Sequence, residues 1–161
     1  MTDFNLTKRA WWSFLEEDLQ ELFLEAIELD KNVAKWDEKY HDYAFVVFPA
    51  AKAYEGFLKK VFFNRGFISK DDYYGKRFRI GRALNPSLEN IYRHESVYDK
   101  ICNFCGGKEL ADRVWDTWRL GRNLLFHWFP EEKNAISFSE ARDRLMYIFA
   151  TMDEVFKECK I

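Results

Sequence analysis

Cysteine is scarce in this sequence. There are three, Cys102, Cys105 and Cys159, and an odd number closes no complete disulfide framework. Cys102-Asn-Phe-Cys105 is a lone CxxC. A zinc site needs two further ligands, and neither His94 nor Cys159 stands at a suitable spacing. The expectation is reduced thiols near a helix end, in keeping with a chain that stays in the cytosol. Long apolar runs are also missing. None approaches the ~18 residues of a membrane span, and the opening MTDFNLTKRA lacks the apolar core of a signal peptide. Nor is there an excess of one charge. The formal net charge is −2, so overall charge names no partner, and nothing in the chain asks for a cofactor.

Aromatic rings, by contrast, are abundant at 19% of residues. Disordered chains are poor in them, so rings in this number point to a packed core without disulfides or a structural metal. The length of 161 residues suits one domain over 1–161. Charge is unevenly spread. Positions 1–40 carry ten acids and five bases, whereas positions 52–82 carry nine bases and three acids. A polyanion would meet the second stretch more readily than the first.

Helical periodicity dominates. Leu15, Leu19, Leu22 and Ala26 line one face of a helix expected over roughly 8–30. Tyr43, Val47, Ala51, Tyr54, Leu58 and Val61 line a second, roughly 37–64, which Pro49 should kink or restart and Gly66 should stop. The stretch 67–86 has no helical period and reads as a long irregular arm, the kind of segment that is often functional. A third helical region, about 88–104, is expected to break near His94. A fourth runs from about Lys108 to Phe126 and ends before Pro130. Ser137-Phe-Ser-Glu140 is a capping box that opens the last helix. The fold class is therefore all-α, an antiparallel bundle of four to five helices with an arm between the second and third.

Only three histidines exist, and one of them, His127, falls where the fourth helix meets its exit loop. Five residues earlier stands Arg122, followed by Asn123. Metal-free scission of RNA requires such a pair. An imidazole can move a proton to or from the 2′-OH or the leaving 5′-oxygen. A guanidinium makes two parallel hydrogen bonds to phosphate and stabilises the charge that builds there. The pattern Arg-x4-His is unspecific alone, since composition gives roughly 0.2 such pairs by chance; its helix-end setting adds weight. Positions five apart on an ideal helix point about 140° away from each other. Convergence thus needs a distorted last turn, a reaching Arg122, or two pairs meeting across a dimer.

The segment Arg122-Asn-Leu-Leu-Phe-His127, in this helical setting, resembles the Arg-polar-x3-His signature of the HEPN superfamily. The stretch Tyr43-Ala-Phe-Val-Val-Phe-Pro-Ala-Ala-Lys-Ala-Tyr-Glu-Gly-Phe-Leu-Lys59 is similar to the second helix of the HEPN domain in RNase LS-type bacterial toxins. The resemblance covers roughly Tyr40 to the C-terminus. It implies a helical homodimer with two Arg–His pairs facing one composite cleft. It also implies an endoribonuclease of toxin or antiphage kind, restrained by an antitoxin or other regulatory protein. Acidic and basic groups of the second helix join the site in that subfamily; the matching positions are Lys52 and Glu55, with Asp42 as a further candidate. RNase LS-type toxins usually carry additional N-terminal domains, which this chain has no room for. A related branch is silenced through a Tyr two residues after the His, where this chain has Phe129.

Simpler readings stand beside these. His127 also fits a packed or helix-capping histidine. Glu55, three residues after Lys52 and four before Lys59, also fits a surface salt-bridge ladder. Arg119 either adds positive potential or pairs with Asp116. The arm Tyr73-Tyr-Gly-Lys-Arg77-Phe-Arg79-Ile-Gly-Arg82 interleaves rings with bases, which suits single-stranded RNA. It equally suits a solvated loop or a protein-docking segment. The leading expectation is RNA cleavage by Arg122 and His127, with Asn123, Glu55 and Lys52 in support and Arg77, Arg79, Arg82 and Arg119 on the substrate. The alternatives are a HEPN-like module that binds RNA or protein without turnover, and a purely structural dimerisation domain. Trp11, Trp12, Trp115, Trp118 and Trp128 supply apolar surface for a dimer.

Overall fold

The structure, a computed structural model, describes residues 4–161, with the backbone alone at 132; the first three residues of the opening segment lie outside it. Seven α-helices follow in order: α1 (Glu17–Val33), α2 (Ala44–Asn64), α3 (Lys70–Tyr74), α4 (Ile80–Ala83), α5 (Val97–Phe104), α6 (Gly107–Trp118) and α7 (Phe138–Glu158). Among the described residues there is no strand, so the all-helical reading holds, and the arrangement is that of a helical bundle. No helix is long and apolar enough to cross a membrane.

The apolar periodicity explains the packing. Val47, Ala51, Tyr54, Leu58 and Val61 are all buried on α2, which lies centrally between α1 and α7. Leu145, Ile148 and Met152 of α7 and Leu110 and Val114 of α6 complete the same core. Each such side chain contributes about 1.5–3 kcal/mol by leaving water. Polar groups fix the register. Thr117 Oγ1 of α6 meets Thr151 Oγ1 of α7 at 2.8 Å, and Asp30 of α1 forms a 2.8 Å ion pair with Arg142 of α7. Asp30 is 3% exposed, and burial raises its carboxyl above the ordinary range against the pull of Arg142. The buried Tyr54 phenol, 3.4 Å from the Val114 carbonyl, is likewise pushed up by burial.

Helix ends follow the local chemistry. Ser137 and Glu140 form the expected capping box at the start of α7. Gly66, at φ 68°, stops α2: its own N–H donates to Phe63 O, and Phe67 N–H donates to Phe62 O. That is a Schellman motif. α2 runs unbroken through Pro49 and starts at Ala44 rather than near 37. Pro49 removes the donor that would have met Phe45 O, yet the helix continues past it. α1 starts at Glu17, because residues 8–16 are taken up mainly by short 3₁₀ turns that bury Trp11. Trp11 Nε1 donates to Asp153 of α7 at 2.7 Å, and this long-range bond outweighs local helical preference.

Two further expectations are corrected. The arm is not wholly irregular: a second capping box, Ser69 with Asp72, opens α3, and α4 follows at Ile80–Ala83. The thiols are not all free either. Cys105, at the C-terminal end of α5, is joined to Cys159, at the end of α7. A separation of 54 residues hides that pairing in the sequence. Cys102 alone is unbonded. Disulfides belong mostly to oxidising compartments, so the cysteines no longer support a cytosolic setting.

Candidate functional site

The helix carrying Arg122 does not end as an ideal α-helix. After Trp118 it widens into a π turn over Arg119–Asn123, closed by Leu124 N–H donating to Arg119 O at 2.9 Å. Gly121 within this turn packs closely on α7, where a Cβ would just touch Ile148 at 3.4 Å. Single π turns inside α-helices insert an extra residue and are frequent at functional sites. The turn does not bring Arg122 to His127, which lines a separate space; Arg122 lies instead against Glu55 on the flank of α2.

There Arg122 Nη2 lies 3.3 Å from Glu55 Oε2, while its guanidinium sits 5.2 Å from the centre of the Trp118 ring. Both side chains of the ion pair are more than a third exposed, so the pair adds little stability and serves mainly to orient Arg122. Glu55, Arg122 and Asn123 line a cleft of about 550 Å³ together with Arg79 and Arg82 of the arm. The arm reaches this position because α4 presents Gly81 to the Trp118 indole: a Cβ on Gly81 would come within 2.9 Å of Trp118 Nε1. Trp118 thus supports Arg122 with its face and receives the arm at its edge.

Other candidates lie elsewhere. Arg77 opens with Arg79 and Arg82 into a neighbouring cavity of about 660 Å³ that also has His94 and Lys100 on its wall. The segment 78–82 separates the two spaces. Lys52 lies on the far side of Glu55, in a groove with Asp18, Glu21 and Glu25. Arg119 pairs with Asp116 at 3.2 Å.

His127 is exposed and opens into a different recess, of about 350 Å³, lined by His41, Asp42, Leu125, Phe126, Trp128 and Asn134 among others. Arg122 is not part of that recess. At the edge of that recess Phe126 and Phe48 of α2 form an aromatic ridge, their rings meeting edge to face at 5.3 Å. Phe48 is 53% and Trp128 74% exposed. The tryptophans do not form an exposed set: Trp11 and Trp118 are core residues, whereas Trp128 is open to a partner beside this ridge.

Of two positioning residues here, Asp42 was a sequence candidate and Asn134 escaped the sequence reading. Asn134 donates through Nδ2 to the carbonyls of both Leu124 and His127, which fixes the exit loop. Asp42 accepts from Ala44 N–H at 3.0 Å and from Ile136 N–H at 3.2 Å, so one of its oxygens is committed to backbone. Asp42 has a local signal, a carboxylate two residues before a helix. Asn134 has none, because its partners are chosen by how the loop folds. Among the described residues no three His, Cys, Asp or Glu side chains cluster as metal ligands would. No family model, curated protein or solved structure matches this chain.

Proposed function

We propose that this chain is a metal-independent endoribonuclease of toxin or antiphage kind, built on a HEPN-like bundle and working as a homodimer in the cytoplasm. The observation that carries this reading is the convergence of Glu55, Arg122 and Asn123 with Arg79 and Arg82 in one cleft. A carboxylate holds the guanidinium, Arg79 adds positive potential for a polyanion, and Arg82 stands beside it paired with Glu95 at 3.1 Å. In the reaction the 2′-oxygen attacks the adjacent phosphorus, the bond to the 5′-oxygen breaks, and 2′,3′-cyclic phosphate and 5′-OH ends result. Arg122 clamps the phosphate and His127 transfers a proton. DNA, lacking the nucleophile, survives. Asn123 and Glu55 keep Arg122 in place, Lys52, Arg77, Arg79, Arg82 and Arg119 meet the RNA backbone, and an antitoxin or other regulatory protein covers the site when it is silent. A second copy seated on the Phe48–Phe126 ridge would bring an Arg122 cleft and a His127 recess toward one another, which a single chain does not do.

A second reading is favoured by that same separation: a module that holds RNA or a protein without turnover. The test is incubation of purified protein with labelled single-stranded RNA in EDTA, wild type beside His127→Ala. Cleavage by the wild type with cyclic-phosphate ends, and its loss in the variant, supports the enzyme. Binding without cleavage by both proteins supports the module. A strict metal requirement overturns the mechanism.

A further inference from the structure

Two of the three histidines share one recess. Separated by 86 positions, His41 and His127 line the same space with Asp42 and Asn134. The segments that bear them are stitched together. Tyr43 N–H donates to Ile136 O at 2.9 Å, Ile136 N–H donates to Asp42, and Asn134 holds the carbonyls of Leu124 and His127. Asp42 is the one carboxylate among the lining residues, and Ala44, Leu125, Phe126 and Ala135 supply apolar wall. At the rim Trp128 offers an indole that is 74% exposed, a platform on which a nucleobase stacks.

Transphosphorylation of RNA needs two proton transfers, one from the 2′-OH and one to the departing 5′-oxygen, and a single histidine supplies one of them at a time. From this geometry we infer that His41 is the second proton-transfer group, so that the His41–His127 recess is the reacting centre for a single-stranded RNA phosphodiester. The inference rests on the ribonuclease reading and deepens it. One imidazole accepts the 2′-OH proton as the new bond from 2′-oxygen to phosphorus forms. The other, protonated, gives its proton to the 5′-oxygen as the old bond breaks. The pair ends with its protonation states exchanged, and water restores them. No oxidant, reductant or co-reactant is needed. Arg122 of the second copy then acts on the phosphate, and Asp42 and Asn134 are positioning residues.

The experiment is a single-turnover pH–rate profile on labelled single-stranded RNA in EDTA, for wild type, His41→Ala and His127→Ala. It is repeated with an RNA whose scissile 5′-oxygen is replaced by sulfur, a leaving group that needs no proton. His41 is exposed and outside the core, and the melting of each variant is measured beside the wild type so that rates are compared between folded proteins. The expected result is a bell-shaped profile for the wild type and a loss of about 100-fold or more in each variant. One limb of the profile should vanish in each, and the sulfur substrate should rescue one variant and not the other. Wild-type rates and an unchanged profile in His41→Ala would overturn the role of His41 while leaving Arg122 and His127 standing. Loss in both variants with rescue of neither would overturn the division of labour. An inert wild type would overturn the ribonuclease reading itself, and this proposal with it.

Discussion

Substituting Gly81 with Ala tests how the arm is held. A Cβ at this position would lie 2.9 Å from Trp118 Nε1 and 3.7 Å from Cε2. Carbon atoms sit comfortably at about 3.5–4.0 Å, so α4 must retreat from the indole by several tenths of an ångström. Trp118 cannot give way easily, being 5% exposed and wedged into the core. Overpacking of this kind costs about 1–3 kcal/mol. Replacing Gly by Ala inside a helix returns about 0.5–1 kcal/mol, which leaves a net loss near ~1 kcal/mol. For a domain of this size that lowers Tm by about 2–4 °C. The sharper measurement is a double-mutant cycle with Trp118→Phe, which removes the atom that the new methyl strikes. Thermal unfolding followed by circular dichroism should show the two substitutions coupled by about 1 kcal/mol, where independent sites add to within about 0.5 kcal/mol. Strict additivity, or a Gly81→Ala protein as stable as the wild type, would refute the docking of the arm on Trp118. The shared wall of the two basic cavities would fall with it.

Two other tests probe the scaffold. Reduction, or the pair Cys105→Ser and Cys159→Ser, releases a loop of 54 residues and should cost up to about 4 kcal/mol on the chain-entropy account. Tm would then fall by roughly 10 °C; equal melting with and without dithiothreitol would show that the bond is absent or idle. Arg142→Met leaves the Asp30 carboxylate buried and unpaired, for an expected loss of about 2–4 kcal/mol near neutral pH. Burial already raises the Asp30 carboxyl, and a raised acid contributes stability that is full at low pH and lost as pH rises through its folded value. Removing Arg142 raises it further, so the urea midpoint of the variant should approach that of the wild type on acidification. A penalty that is constant with pH would refute this account of the pair.

The π turn shows how backbone detail places side chains. In a straight helix Arg122 and His127 point well apart; in the structure the chain widens at Arg119–Asn123 and leaves the helix before His127. Arg122 lies against Glu55, a residue 67 positions away, and His127 lines a recess with His41 and Asp42. Glu55 was legible as a partner of Arg122 only through resemblance, since on its own helix it reads as equally suited to Lys52 and Lys59. His41 was not legible at all. A lone histidine before a helix carries no signal until a distant loop folds over it.

Local chemistry determined much of this molecule in advance. The buried faces of α2 and α7, the capping box at Ser137, the stop at Gly66 and the break before α5 all arise within a few residues, from side-chain period and from which backbone groups a cap can satisfy. That is why they could be read from the chain. Tertiary structure alone decided the 3₁₀ entry around Trp11, the Cys105–Cys159 bond, the seating of the arm on Trp118 and the division of the basic and histidine residues between separate spaces. Each depends on contacts across tens of residues, where packing of large rings and pairing of buried polar groups outweigh local preference, and no periodicity along the sequence records them.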